Sequence, residues 1–214
     1  MIFRLDDRLL FPNPSLAEED GLLAIGGDLS IERLMLAYQN SIFPWYNDST
    51  PILWYSPHER FVLFPDELKI SKSMRRILLL GQFTVTFDRS FEDVIEACSI
   101  VKREGQDGTW ITSEMKAAYI KLYNRGHAHS VEVLKEGELA GGLYGVAIGK
   151  VFCGESMFSK VSNASKMALI ALCQSEDYQL IDCQVYTKHL ESMGARMISR
   201  EEYMNILRNA DGKD

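Results

Sequence analysis

From about residue 61 onward, apolar and polar positions alternate in regular blocks. Ser71 to about Leu80 is a basic helix, and Phe83-Thr-Val-Thr-Phe87 alternates with the period of two expected of a strand. Ser90-Phe-Glu-Asp93 has the form of a capping box, followed by Phe91, Val94, Ile95 and Cys98 at helical spacing. Met115, Ala118, Tyr119, Leu122 and Tyr123 form a second apolar stripe, which Gly126 ends. A meander follows: strands at Ser130 to Leu134, Leu139 to Ile148 and Val151 to Glu155, joined by Lys135-Glu-Gly-Glu138 and Gly149-Lys150. The pattern then predicts a helix from about Asn163 to Cys173 and a strand from Gln179 to Val185. After these come a short helix that starts after Thr187 and stops at Gly194, a strand at Arg196 to Ile198, and a closing helix capped by Ser199-Arg-Glu-Glu202. The first 60 residues have another texture. They hold five of the six prolines and one clear helix, with Ser30 as its cap and Ile31, Leu34, Met35 and Tyr38 as its stripe. A small N-terminal domain, 1–60, and a larger one, 61–214, are expected.

The chain has 214 residues, 46% hydrophobic and 25% charged, ordinary values for a water-soluble globular protein with a real core. No run of about 18 apolar residues is present, and the first residues lack a signal-peptide layout, so a cytoplasmic protein with no membrane contact is expected. The four cysteines show no Cys-x-x-Cys pairing and no metal-ligand spacing, which predicts reduced, buried thiols and no metal site. The net charge of −7 argues against nonspecific nucleic-acid binding but leaves room for a local basic patch at Lys69, Lys72, Arg75 and Arg76. Lys72, Arg75 and Arg76 fall at i, i+3 and i+4 on one helical face, where they can form a phosphate-binding ridge or a plain solvated surface.

Candidate chemistry concentrates between Gly141 and Gln184, where Glu155, Asp182 and Gln184 sit among residues expected in the core. Burying a carboxylate is costly unless it is paired or hydrogen-bonded. Asp182 and Gln184 lie two apart on a predicted strand and should face one side. On spacing alone, Asp182 could equally satisfy backbone donors at a strand end, and Glu155 could cap the next helix. His127 and His129 lack further ligands for a metal, and His58 and His189 belong to no constellation.

The order of two helices, an antiparallel meander, a helix and another strand is that of the GNAT acyltransferase fold, so the fold class expected is α+β with a mixed, largely antiparallel sheet. More specifically, the chain resembles the leucyl/phenylalanyl-tRNA–protein transferases over nearly its whole length. The resemblance is carried by Gly21-Leu-Leu-Ala-Ile-Gly-Gly-Asp-Leu-Ser30, Ile42-Phe-Pro-Trp45, Trp54-Tyr-Ser-Pro57, Gly108-Thr-Trp-Ile-Thr112, Gly126-His-Ala-His-Ser130 and the Gly141 to Gln184 block. Position 41 is Ser where the family often has Gly, a departure confined to a turn. The resemblance implies transfer of leucine or phenylalanine, less readily methionine, from tRNA to proteins beginning with arginine or lysine, which marks them for degradation by the N-end rule. It implies no cofactor and no metal, and a monomer is expected. It makes Asp182 and Gln184 the catalytic pair; Glu155 is expected beside them, touching the terminal adenosine or the cationic acceptor. It places Leu143, Phe152, Met157, Leu169, Leu172 and Ile181 around the aminoacyl side chain, and Trp45, Trp110 and Tyr119 near the terminal adenosine of the tRNA. The chemistry asks little: an ester is already activated, the α-amine has a pKa of about 8, and positioning with a modest proton acceptor suffices. The rival readings are a GNAT acetyltransferase using acetyl-CoA and a non-enzymatic tRNA-binding module. Against the first, Ser159 to Lys166 lacks the glycines of a pyrophosphate-binding turn.

Overall fold

The computed structural model describes residues 2–101 and 111–210. The first unit is a four-stranded sheet of β1 (Phe3–Leu5), β2 (Leu22–Gly26), β3 (Phe43–Pro44) and β4 (Leu53–Tyr55), in the order β1-β2-β4-β3. Helix α1 (Ile31–Gln39) follows β2, and Ser30 caps it by accepting the Arg33 N–H at 3.4 Å. The second unit is built on a seven-stranded sheet in the order β11-β5-β10-β9-β8-β7-β6. Its strands are β5 (Glu59–Leu63), β6 (Thr84–Phe87), β7 (Ala128–Lys135), β8 (Glu138–Ile148), β9 (Val151–Ser159), β10 (Leu180–Gln184) and β11 (Arg196–Ser199). Its helices are α2 (Lys72–Leu80), α3 (Phe91–Ile100), α4 (Ser113–Asn124), α5 (Ala164–Gln174), α6 (Lys188–Ser192) and α7 (Arg200–Ala210). The protein is α+β, and the larger unit follows the expected order of two helices, an antiparallel meander, a helix and another strand. β9 and β10 are paired in parallel through the α5 crossover, while the other pairings in this sheet are antiparallel. Among the described residues no helix is long and apolar enough to cross a membrane.

Each face of the large sheet carries its own core. Along β9 the side chains alternate, so Phe152 joins one cluster with α5 and Ile181, while Cys153 joins the other with α3, α4 and Tyr203. The second of these clusters continues through α1 into the small sheet, taking in Leu34, Tyr38 and Trp54, so the two units share apolar packing. Helix α5 buries seven of its eleven residues, which is why its sequence shows so little polar stripe.

Three local expectations change. The Ser90 side chain makes no cap bond. Buried Glu132 on β7 takes its place beneath α3, accepting the N–H groups of Ser90 (3.3 Å) and Arg89 (3.4 Å) and the hydroxyls of Thr86 (2.6 Å) and Ser130 (2.5 Å). A carboxylate from a neighbouring strand serves the helix N-terminus as well as a local hydroxyl does, and is invisible to a local pattern. Strand β9 runs on to Ser159 instead of stopping at Glu155, because its pairing with β8 continues past the bulge described below. Finally, Ser41 stands at φ 61°, the left-handed conformation that favours glycine, so the departure from the family's residue falls on a backbone position that costs a side chain something.

Candidate active site

Two bulges build the site. Opposite β8, Tyr144 pairs with Ser156 and Gly145 with Gly154, so Glu155 is the extra residue of β9. Opposite β5, Val62 pairs with Asp182 and Phe61 with Gln184, so Cys183 is the extra residue of β10. The parallel pairing of β9 with β10 spans Val151 to Cys153 against Leu180 to Asp182 and goes no further. Beyond it the strands separate, and Glu155 and Gln184 meet across the gap through their side chains, with Gln184 Nε2 donating to Glu155 Oε1 at 2.9 Å. Gly145 matters here for its missing side chain: a Cβ on it would stand 2.3 Å from the Cys153 carbonyl oxygen and 2.5 Å from the Phe152 ring. That ring therefore lies in space only glycine leaves free.

Glu155 is buried and accepts three hydrogen bonds. Tyr38 from α1 donates at 2.7 Å and Gln184 at 2.9 Å to Oε1, and Tyr119 from α4 donates at 3.1 Å to Oε2. The Tyr38 and Tyr119 hydroxyls also bond one another. Burial pushes the Glu155 carboxyl up to about 7, outweighing the three donors that pull it down. The two tyrosines are pushed well up, by burial first and by Glu155 next, so they remain protonated donors.

Asp182 is fully buried and solves the burial problem with charge. It is ion-paired with Arg60 of β5, whose guanidinium lies 4.7 Å from the ring centroids of both Phe43 and Tyr203. Burial works against the Arg60 charge, but Asp182 outweighs it and holds the guanidinium protonated. The other Asp182 oxygen, Oδ1, accepts the backbone N–H of Gln184 at 3.0 Å. Gln184 stands at φ 58°, so the carboxylate secures a left-handed residue at the end of β10. The simple alternation expected of Asp182 and Gln184 is thus broken by the bulge. Asp182 acts on the backbone of Gln184, while the amide side chain is oriented by Glu155.

Glu155 and Gln184 lie on the wall of a cavity of about 520 Å³, within the roughly 300–1,000 Å³ of ligand sites. Its apolar end is formed by Leu143, Phe152, Met157, Leu169, Leu172 and Ile181, with Leu190 from α6. Its polar wall is Glu155, Asp182 and Gln184, and its rim is Phe43, Pro44, Trp45, Tyr55 and Pro57 from the small sheet and the segment after it. A larger hollow of about 810 Å³ lies between the segment from Leu9 to Ser15 and α7, and none of the candidate residues lines it. Among the described residues no group of three His, Cys, Asp or Glu side chains could hold a metal ion.

A family model described as leucyl/phenylalanyl-tRNA protein transferase matches residues 62–208, and the model of that family's N-terminal domain matches residues 27–58. The chain belongs to the leucyl/phenylalanyl-tRNA protein transferase family. It is 58% identical to the leucyl/phenylalanyl-tRNA–protein transferase of Syntrophobacter fumaroxidans, over 96% of this chain and 89% of that one. It is 59% identical to the enzyme of that name from Flavobacterium johnsoniae, over 94% and 96% of the two chains. The Pseudomonas entomophila enzyme of the same name is 53% identical over 94% and 91%. As a member of this transferase family the protein is an aminoacyltransferase.

For a transferase of this family the structure brings together all six residues expected around the aminoacyl side chain, and all three expected in the catalytic centre, on the walls of one cavity. Trp45 lies at the rim, 42% exposed and edge-on to Tyr55, with ring surface open to solvent. Tyr119 corrects the expectation placed on it. It is fully buried with its ring edge-on to Tyr144, so no face is open for stacking on adenosine, and it meets the site through its hydroxyl. Trp110 lies outside the described residues. Lys72, Arg75 and Arg76 are exposed on α2, and none of them lines the cavity. Sequence reasoning missed Arg60 and Tyr38. The one available signal was an arginine directly before the apolar run Phe61 to Leu63, which asks for a buried anion. His189, which belongs to no constellation in the sequence, lines the cavity.

Proposed function

We propose that the protein transfers leucine or phenylalanine, and less readily methionine, from aminoacyl-tRNA to the α-amine of proteins that begin with arginine or lysine, committing them to degradation by the N-end rule. It does so in the cytoplasm as a monomer, without cofactor or metal. The observation that carries this reading is the cavity in which an apolar end meets the Gln184–Glu155 couple. A leucyl or phenylalanyl side chain seated against Leu143, Met157, Leu169 and Leu172 would leave its ester carbonyl near the polar wall. With Nε2 of Gln184 given to Glu155, the amide oxygen is left to accept a hydrogen bond from the attacking amine and aim its lone pair at the carbonyl carbon. An amide is too weak a base to take the proton, so Gln184 positions and Glu155 holds Gln184. Asp182, with Arg60, fixes the backbone from which Gln184 projects.

Trp45 at the rim supplies a surface for the terminal adenosine, a contact worth about 1–3 kcal/mol for a base on an aromatic ring. The exposed cations of α2 are suited to phosphates of the acceptor stem. The acetyl-CoA alternative is disfavoured by the start of α5. There the Ala164 N–H goes to the Val161 carbonyl (3.1 Å) and the Ser165 N–H to the Ser159 hydroxyl (3.4 Å), so these amides are engaged within the chain rather than free for a pyrophosphate. The deciding assay mixes the protein with labelled leucyl-tRNA and peptides beginning with Arg, Lys or Ala. Label is expected on the first two; label on none, or on all three alike, refutes the reading.

A further inference from the structure

Moving an acyl group from a ribose oxygen to an amine also moves a proton. As the C–N bond forms, the attacking nitrogen becomes positively charged, and as the C–O bond breaks, the leaving oxygen needs a proton. The titratable residues lining the cavity are Asp20, Tyr55, Glu155, Asp182, Cys183 and His189. Asp182 is committed to Arg60 and to a backbone amide. Glu155 is surrounded by three donors on its two oxygens. Burial pushes the Cys183 thiol and the Tyr55 hydroxyl up, away from any role as a base. Asp20 stands exposed at the mouth with one oxygen on the Leu22 N–H at 2.9 Å.

His189 differs from all of these. It is half-buried in the first turn of α6, on the cavity wall, and neither ring nitrogen is hydrogen-bonded to any described residue. Its backbone is held on both sides: the Thr187 hydroxyl accepts the Leu190 N–H at 3.1 Å, and the Leu190 side chain is buried at the apolar end of the cavity. Burial first, and the Lys166 ammonium on α5 second, push the imidazole below its ordinary value, so it is neutral and free to accept a proton at pH 7.

We propose that His189 carries the proton of the transfer: an open ring nitrogen takes it from the attacking amine as the C–N bond forms and returns it to the ribose 3′-oxygen as the C–O bond breaks. The imidazole ends neutral, as it began, and no further reactant is needed. The proposal rests on reading the cavity as the aminoacyl-transfer site.

The test is single-turnover transfer from leucyl-tRNA to an arginine-initiated peptide by the parent, His189→Gln, His189→Asn and His189→Ala, each checked for folding by circular dichroism. The glutamine and asparagine variants keep hydrogen-bonding groups but cannot carry a proton. They are expected to lose about 100-fold in rate, with little change in KM for either substrate. Imidazole in the buffer should restore part of the His189→Ala rate and leave the parent unchanged. Parental rates in His189→Gln or His189→Asn, a loss confined to KM, or an alanine variant deaf to imidazole each overturn the proposal. Those outcomes leave the transferase reading standing, whereas a parent that moves no leucine sinks that reading and the proposal together.

Discussion

The two carboxylates at the cleft are both buried, yet each is tolerated by a different means. Asp182 is matched with a full positive charge, the Arg60 guanidinium held between Phe43 and Tyr203. Glu155 is matched only with neutral donors, two tyrosine hydroxyls and an amide. The Asp182 side is therefore a rigid brace, since its pair cannot be broken without stranding a charge. The Glu155 side is adjustable, because burial brings its ionisation to about 7, where the proton can come and go. A site that must hold an amide steady while its surroundings change charge can use one of each.

The comparison breaks most visibly on the Asp182 side. Asp182→Ala should leave the Arg60 charge uncompensated and cost about 3–5 kcal/mol in urea unfolding, with transfer abolished. Adding Arg60→Met should restore much of the stability and none of the transfer. If the double variant regains activity, Asp182 has no part in placing Gln184.

The Glu155 side should show itself in pH dependence. Its carboxyl ionises near 4.5 in the unfolded chain and at about 7 in the folded one. Its contribution to stability is whole below the lower value and declines as pH rises toward 7, by roughly 3 kcal/mol at most. Glu155→Gln should flatten that part of a stability–pH curve. Transfer by the parent should rise through pH 7 as Glu155 becomes the charged acceptor that holds Gln184, and the variant should lose this limb and keep only the rise near pH 8 as the α-amine deprotonates. An unchanged pH profile in Glu155→Gln would show that the carboxyl does not titrate.

A smaller effect sharpens the apolar end against the polar wall. Leu172→Ala enlarges the recess and should shift kcat/KM from leucine toward phenylalanine by about 10-fold, within the 1–3 kcal/mol that an apolar pocket discriminates per methylene. The change should leave the pH profile alone, which separates it from the Glu155 variant. The least of the expected effects lies outside the cavity. Arg76→Ala should weaken tRNA binding modestly and reduce the salt slope of log K by about 0.7–0.9, the share of one phosphate contact. An unchanged slope would return α2 to the status of a solvated face.

Most of the fold was legible because it is written in local period. The stripe of α1, the alternation of β6, the meander, the start of α6 after Thr187, and the caps at Ser30 and Ser199 appear where the pattern puts them. The misreadings share one cause. The α3 N-terminus is served by Glu132, 42 residues away from Ser90 in the chain, and β9 extends because β8 continues beside it. Neither fact is local. The site divides in the same way: the apolar lining was recognisable through family resemblance, while Arg60, Tyr38 and the open position of His189 exist only once β5, α1 and α6 are brought to the same cleft.

The amino-acid order by itself determined most of the elements, the α+β class, the family and much of the set of side chains from which the site is made, because period, capping and long contiguous motifs are properties of neighbours in the chain. Tertiary structure alone decided the rest. It set which carboxylate meets a cation and which meets hydroxyls, where bulges turn Glu155 and Gln184 toward each other, and that Tyr119 acts through its oxygen and not its face. Those outcomes depend on dielectric surroundings and on contacts between residues as much as 122 positions apart, as in the pairing of Arg60 with Asp182. Burial and charge partners are set by packing, and packing is not a local quantity.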